Sequence, residues 1–541
     1  MAPAAAGGLS VTVRSLRRRV HRAGVPPLPV LLPVLLVAAL TALPIAYLVL
    51  RAVAVDPAAL GLVMRPRTLE IIAGSLALGA GVGAGSIALG VPLAWLTART
   101  DLPGRRLWTV LAAVPLAIPS YVIAFAFVAA LGPRGALSEA LRGIGLPGLP
   151  SVYGLGGAVL VLSLATYPYV LLATRTALLR SDPQLEEAAR VLGDSRTTTF
   201  RRVTLPLLLP AITAGVLLAV LYALGDFGAV AILQFDSFAR AIYIQYRASF
   251  DRSLAAILAL MLIALTLAVA WLEARVRGRE RQLIQGPRRP PAIVPLGRWR
   301  WPALALCAGI VLLGLVVPAG TIGFWLLRGM AQGEPLRILP AAIANSFTAG
   351  VLAAATAATL ALPAAVLLVR HPGRLSHWLE RLMYGAYAVP GIVLALAAVT
   401  FVINVTPFVY QTLLLLVLAY AIRFLPQAVG PSRASLAQVG ARLGEAARTL
   451  GEGRAGTFRT ITLPLLRPGI VAGMALVFLT TVKELPLTLL LAPTGFQTLA
   501  TQIWGAATDG FYARAAAPAA MLMLLSAATV AVLFRAEGRY R

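Results

Sequence analysis

Long apolar runs separated by short basic gaps constrain this chain's fold more than any other feature. A bilayer core takes about 20 apolar residues per crossing helix. Twelve stretches reach or approach that length. They are 28–50, 70–96, 108–131, 153–177, 207–230 and 253–273, then 302–327, 345–369, 382–404, 409–429, 465–490 and 515–534. In lipid every backbone N–H and C=O must be paired internally, which leaves helices or closed barrels. Barrel strands alternate over short segments, and these runs do not. The chain therefore reads as an all-α polytopic membrane protein of about twelve transmembrane helices. Its 12% of charged residues agrees, since soluble domains carry about 25%.

The net charge of +27 would suggest nucleic acid in a soluble protein. Here the arginines fall in alternate gaps, the pattern of cytoplasmic loops, and no nucleic-acid partner is expected. The arginine-rich gaps hold Arg99, Arg105 and Arg106, then Arg175 to Arg202, Arg370 to Arg381, Arg423 to Arg467 and Arg535 to Arg541. Both termini are thus expected in the cytoplasm. The N-terminal cluster Arg14, Arg17, Arg18, Arg19 and Arg22 precedes a run long enough to span, so 1–27 reads as a basic tail before an uncleaved helix. The single cysteine, Cys307, excludes an intrachain disulfide and a cysteine metal site. His21, His371 and His377 all fall in expected cytoplasmic segments, and no metal site is expected.

The chain is written twice. Glu187-Ala188-Ala189-Arg190, Leu192-Gly193 and Thr204-Leu205-Pro206 recur as Glu445-Ala446-Ala447-Arg448, Leu450-Gly451 and Thr462-Leu463-Pro464 at a constant offset of 258. About two-thirds of the positions from Glu187 to Ile212 are repeated between Glu445 and Ile470. Pro103-Gly104-Arg105 recurs as Pro372-Gly373-Arg374, and Ile118-Pro119 as Val389-Pro390. Both copies share one topology, which is a parallel repeat with its axis along the membrane normal. The expected domains are 28–275 and 301–541, joined by a basic tether over 276–300 that contains Pro287, Pro290, Pro291 and Pro295.

Asp182 and Pro183 are good helix-start residues. Gly193 and Gly451 punctuate the helix that follows, and Pro206 and Pro464 suit the first turn of the next span. Each loop is thus expected to be a short helix, a turn and a second short helix on the cytoplasmic face. Glu187 and Glu445 are positioned for arginine or backbone contacts. This pattern of Glu-Ala-Ala, three residues, Gly, nine residues, Val or Ile, one residue, Leu-Pro resembles the EAA loop of binding-protein-dependent ABC importer permeases. The resemblance covers essentially the whole chain as two fused six-helix permease repeats of the type I, MetI-like form. It implies that Glu187, Ala188, Ala189, Gly193, Leu205 and Pro206, with Glu445, Ala446, Ala447, Gly451, Leu463 and Pro464, form loops that dock on two copies of an ABC ATPase subunit. It also implies an extracytoplasmic substrate-binding protein as partner and a place in the bacterial inner membrane.

The residues alone exclude a built-in motor. A P-loop needs a lysine behind a glycine-rich loop, and the only lysine is Lys483, in Thr481-Val482-Lys483-Glu484-Leu485-Pro486. The chain is therefore read as a transport subunit and not an enzyme, with no cofactor of its own and ATP used by the partner.

Acids within spans default to functional hypotheses. Asp226 and Glu484 share the offset of 258. Each stands 20 residues past its loop proline, about 30 Å along a helix, and so toward the outer side, facing the other across the pseudo-twofold axis. They read either as a pathway for a cation, with Lys483 beside it, or as structural groups: Glu484 paired with Lys483 or an arginine, Asp226 capping a broken helix. Lys483-Glu484-Leu485-Pro486 and Gly225-Asp226-Phe227-Gly228 resemble segments of ferric-iron-type permeases, which implies ferric iron as cargo. Permeases for thiamine, polyamines and phosphonates share much of this layout. Phe235 to Arg252 and Gly495 to Arg514 would contact the binding protein, and their aromatics Phe235, Tyr243, Tyr246, Trp504 and Phe511 suit an interface or a membrane-surface belt. The alternative from another class is a secondary transporter driven by an ion gradient, which has no need of a duplicated docking loop.

Overall fold

The computed structural model describes residues 26–53, 61, 65–145, 151–248, 253–282, 293–334, 339–438, 447 and 449–538. These residues are overwhelmingly helical and contain no strand beyond one isolated bridge. Ten helical stretches among them are long and apolar enough to cross a membrane. In the first half the principal helices are α1 (Leu28–Val53), α2 (Pro66–Arg99), α3 (Arg105–Ala113), α4 (Ser120–Leu131) and α5 (Leu155–Arg180). They continue with α6 (Pro183–Val191), α7 (Leu205–Gly225), α8 (Gly228–Ile232), α9 (Phe238–Ala248) and α10 (Ser253–Gln282). The second half has α11 (Arg300–Val311), α12 (Val317–Ala331), α13 (Leu339–Arg370), α14 (Arg374–Ala388) and α15 (Gly391–Val405). It ends with α16 (Leu413–Gln438), α17 (Leu463–Val482), α18 (Pro486–Leu491), α19 (Leu499–Thr508) and α20 (Tyr512–Gly538). Helices α15 and α20, outside the ten, occupy the stretches expected at 382–404 and 515–534.

Four expected spans are broken rather than continuous. Pro119 and Pro390 lack an N–H and push the preceding residue out of the helical region. Ile118 accordingly has ψ 128°, and a new helix starts after each proline. The fifth span of each half breaks at equivalent points, Asp226-Phe227 between α7 and α8, and Lys483 to Leu485 between α17 and α18. Such breaks survive at membrane depth only where neighbouring protein satisfies the freed groups.

Helices α2, α5 and α7 pack on one another, as do α13, α16 and α17. Small residues permit this closeness. A Cβ on Gly215 would lie 2.8 Å from Val170 Cα, and one on its counterpart Gly473 would lie 2.9 Å from Ala428 Cα.

The opening helix of each half packs on the other half. Helix α1 lies against α13, α14 and α15, with Tyr47 edge-on to Phe401 at 5.9 Å. Helix α12 lies against α4, where Trp325 Nε1 donates to Ala129 O at 2.9 Å, and Arg328 pairs at 3.2 Å with Glu139 in the short helix Ala136–Gly143 that follows α4. Each opening helix also keeps contact with its own half, α1 with α10 and α12 with α20, so it bridges the two expected six-helix units. Chain order cannot reveal this, because an apolar helix is equally suited to either neighbour.

The expected tether is also modified. Helix α10 runs on to Gln282. At the other end, Val294 N donates to Arg99 O at 2.7 Å, and Leu296 N donates to Asp101 Oδ1 at 2.9 Å. This end of the linker is pinned to the turn after α2. Residues 283–292 lie outside the described residues.

The helix exchange has a direct test. With Cys307→Ser as background, Tyr47→Cys and Phe401→Cys should be joined by a short bifunctional thiol reagent. After cleavage at a protease site inserted within 283–292, the halves should then migrate as one covalent species in denaturing gels. Separate migration under conditions that link a within-half control pair would overturn the exchange.

Candidate functional site

The first duplicated loop starts as its residues dictate. Asp182 accepts a hydrogen bond from Gln184 N at 3.0 Å, and Pro183 occupies the first turn of α6. The helix ends at Gly193, whose φ of +96° suits only a residue without Cβ; Asp194 N returns to Ala189 O at 3.1 Å. In the second copy Gly451 has φ +89°, and Glu452 N returns to Ala447 O at 3.0 Å. Both loops re-enter the bundle through a π-helical turn at the same register, Phe200–Thr204 and Phe458–Thr462. Leu205 and Pro206, like Leu463 and Pro464, open the helices that follow.

The loop tips carry exposed apolar side chains: Val191 and Leu192 are each 87% exposed, and Leu450 is 85% exposed. Ala188 is exposed and Ala189 half-buried, while Ala447 is buried. Glu445 and Ala446 lie outside the described residues. The expected arginine contact at Glu187 falls one residue earlier. Glu187 is exposed, whereas Glu186 turns inward and pairs with Arg99, the last residue of α2. That arginine side chain is 2% exposed. The same Glu186 oxygen accepts from Thr204 Oγ1 at 3.0 Å, so one carboxylate ties both ends of the loop to the bundle. Trp95, one turn before Arg99, packs edge-on to Phe200 at 5.3 Å. Gly444 occupies the equivalent of Glu186 in the second repeat, and Arg370, the equivalent of Arg99, is exposed. The glycine turn and the π turn are alike in the two loops, while the glutamate that ties the first loop has no sequence counterpart in the second.

The four helix breaks converge far from these loops. Asp226 accepts from Ala229 N at 2.8 Å through Oδ1, and from the Ser120 hydroxyl, just past Pro119, through Oδ2. Glu484 pairs with Arg423 at 3.8 Å, and the Arg423 guanidinium donates to Val389 O at 2.8 Å, at the break before Pro390. Lys483 turns away from Glu484 and crosses to the other half, donating to Ala117 O at 3.2 Å. Its counterpart Gly225 meets Pro390, with a Cβ there lying 3.7 Å from the ring. Each fifth-span break therefore packs on the third-span break of the opposite half. Gly391 brings its backbone against Glu484, since a Cβ there would fall 2.7 Å from Oε1. The expected pair thus flanks the Pro390-Gly391 turn. Tyr420, not singled out from sequence, bonds Thr488 at 2.6 Å, and Thr488 bonds Glu484 O at 2.7 Å. Glu484 Oε1 and the buried Tyr121 hydroxyl have no hydrogen-bond partner among the described residues.

Beyond the junction stand the expected outer segments. Helices α9 and α19 begin alike: Phe238 N donates to Ser75 Oγ at 3.0 Å, and Leu499 N to Ser346 Oγ at 2.9 Å. They bring Tyr243 and Trp504 together at 5.7 Å, and both contact Phe227, at 4.8 and 6.1 Å. Phe511 is half exposed and outside this cluster.

A family model of binding-protein-dependent transport system inner membrane components matches residues 90–282 and again 350–541. The Fe(3+)-transport system permease protein FbpB 2 of Haemophilus influenzae is 33% identical over 94% of this chain and 98% of its own length. The ferric transport system permease protein FbpB of Actinobacillus pleuropneumoniae is 26% identical over 85% of this chain and 70% of its own. The molybdenum transport system permease protein ModB of Escherichia coli is 37% identical, over 27% of this chain and 62% of its own length.

Removing one member of a buried ion pair leaves the other charged and unsolvated, typically costing 3–5 kcal/mol. Glu186→Ala should therefore lower the thermal unfolding midpoint and open the segment 181–204 to limited proteolysis. Thr460→Ala, an exposed change in the second loop, should do neither. Equal proteolysis of wild type and Glu186→Ala would show that the tie does not hold the loop.

Proposed function

On the premise that this chain belongs to the family of binding-protein-dependent transport system inner membrane components, we propose that it is the membrane-spanning permease of an ATP-driven importer of ferric iron. The observation that carries the importer reading is the pair of matched loops, each ending in an exposed leucine at the same register. Exposed apolar tips on a short helix are suited to insertion into a partner's groove. Two ABC ATPase subunits, one per loop, are the partners of that chemistry. ATP is hydrolysed there, and the chain itself performs no covalent step. Both termini and both loops lie in the cytoplasm of a bacterial inner membrane, in keeping with the arginine-rich gaps.

The iron assignment is supported by reach. The ferric-type relative is matched over nearly its whole length, whereas the molybdenum permease matches under a third of this chain. The two junction acids fit a cation better than an anion. In this reading Asp226, Glu484 and Lys483 line the path where the two halves meet, and Phe227, Tyr243 and Trp504 form its outer closure. An extracytoplasmic binding protein delivers iron above them, against α9 and α19. Closure of the ATPase pair draws the two loops together and re-sorts the contacts at the four breaks, switching access from outside to inside. The Glu186–Arg99 tie carries movement of the first loop into α2.

Two experiments test this. Leu192→Asp with Leu450→Asp should abolish co-purification of the ATPase, each single change giving partial loss; retention by the double variant would sink the docking role. Separately, iron-starved cells lacking this protein should take up radiolabelled ferric iron when complemented with wild type. They should not when given Glu187→Ala/Glu445→Ala at equal membrane abundance. Asp226→Asn should reduce that uptake roughly tenfold or more while leaving ATPase association intact. A deletion strain with normal iron uptake would end the iron assignment and leave the importer reading standing.

A further inference from the structure

A groove of about 590 Å³ opens beside the first loop, away from the junction. Its walls come from α2 through Pro92 and Trp95, from the π turn and α7 through Phe200 and Leu208, and from the start of the second half, through Trp299 just before α11 and Leu306 within it. Both halves therefore build it. Its lining is almost wholly apolar; apart from the indoles of Trp95 and Trp299, its one polar side chain is Thr174, whose buried hydroxyl has no hydrogen-bond partner among the described residues. One hydroxyl cannot hold water, which needs two to four polar partners. The flanking helices are apolar and long enough to cross a membrane, and a groove between such helices meets hydrocarbon where they lie in the bilayer.

The rim has the opposite character. Arg298 stands one turn before Pro302 and Arg300 one turn before Ala303, both groove-lining residues. Both arginines are exposed, as is Arg201 next to Phe200. Trp95 and Trp299 sit at this end, where indoles favour the headgroup level. Apolar walls under a basic rim between membrane helices match an acyl chain beneath an anionic phosphate.

We propose that this groove is a binding site for one anionic phospholipid of the cytoplasmic leaflet. Its acyl chain lies against Trp95, Phe200 and Leu306, and its phosphate meets Arg298 and Arg300. Thr174 supplies a donor for an ester carbonyl. The assignment of leaflet rests on the orientation proposed above; the binding itself does not depend on the cargo or the ATPase. Because Phe200 belongs to the joint between loop and α7, the lipid would sit where loop movement enters the bundle.

The test is native mass spectrometry of the full chain in mild detergent, after exchange into phosphatidylglycerol or phosphatidylcholine. Wild type should retain one phosphatidylglycerol under conditions that strip phosphatidylcholine. Arg298→Ala/Arg300→Ala should reduce retention of phosphatidylglycerol to the phosphatidylcholine level. Ala303→Phe, which fills the groove, should lower retention of both. Arg381→Ala, which removes an exposed arginine of α14, should change neither. Undiminished phosphatidylglycerol in the double arginine variant, or equal loss in Arg381→Ala, would overturn the site. Should Ala303→Phe fail to fold, the arginine variants decide alone. Iron uptake is not a readout here, so failure of the cargo assignment leaves this result interpretable.

Discussion

Backbone groups freed inside a membrane must find partners in protein, and most of this structure follows from how four helix breaks meet that demand together. A lone break would leave carbonyls and amides facing hydrocarbon at several kcal/mol each. Here the breaks satisfy one another. Lys483 of the second half serves Ala117 O of the first, Arg423 serves Val389 O, and Asp226 collects Ser120 and Ala229 N. Charged side chains are thus placed where backbone polarity has been exposed, and the two halves are joined where each is individually incomplete.

Symmetry governs the backbone, and side chains depart from it. The turns at Gly193 and Gly451, the π turns at Phe200 and Phe458, and the serine caps of α9 and α19 are matched across the repeat. The ties differ. Asp226 is held by a hydroxyl and an amide, Glu484 by a guanidinium. The first loop is anchored by Glu186 to a buried arginine, while the second has Gly444 in that place.

The exchange of opening helices adds a second kind of joining. Helices α1 and α12 each complete a surface on the other half, and the family match begins at residues 90 and 350, after the exchanged helix in both cases. The linker takes part as well, because Val294 and Leu296 attach to the turn that follows Arg99. One short stretch therefore gathers the end of α2, the start of the second half and, through Glu186, the first loop.

Much of this was legible in the residues. Apolar length set most of the helices, and the offset of 258 exposed both the repeat and the matched positions of Asp226 and Glu484. Local rules also placed the loop turns, since Asp182-Pro183 starts a helix and a glycine at 193 or 451 ends one by chain geometry alone. The missed features all depend on contacts between distant residues. Glu186 rather than Glu187 pairs with arginine because helix phase and the position of α2 decide which neighbour faces inward. Pro119 and Pro390 fall inside expected spans, and the sequence did not show that each would break its span and meet the opposite half's fifth span. Neither could sequence show that α1 belongs with the second half, because hydrophobicity carries no address. The sequence by itself determined an all-helical, twice-written membrane protein with two matched loops; tertiary structure alone decided which charges meet and which helices bridge the halves, since both depend on close packing in three dimensions.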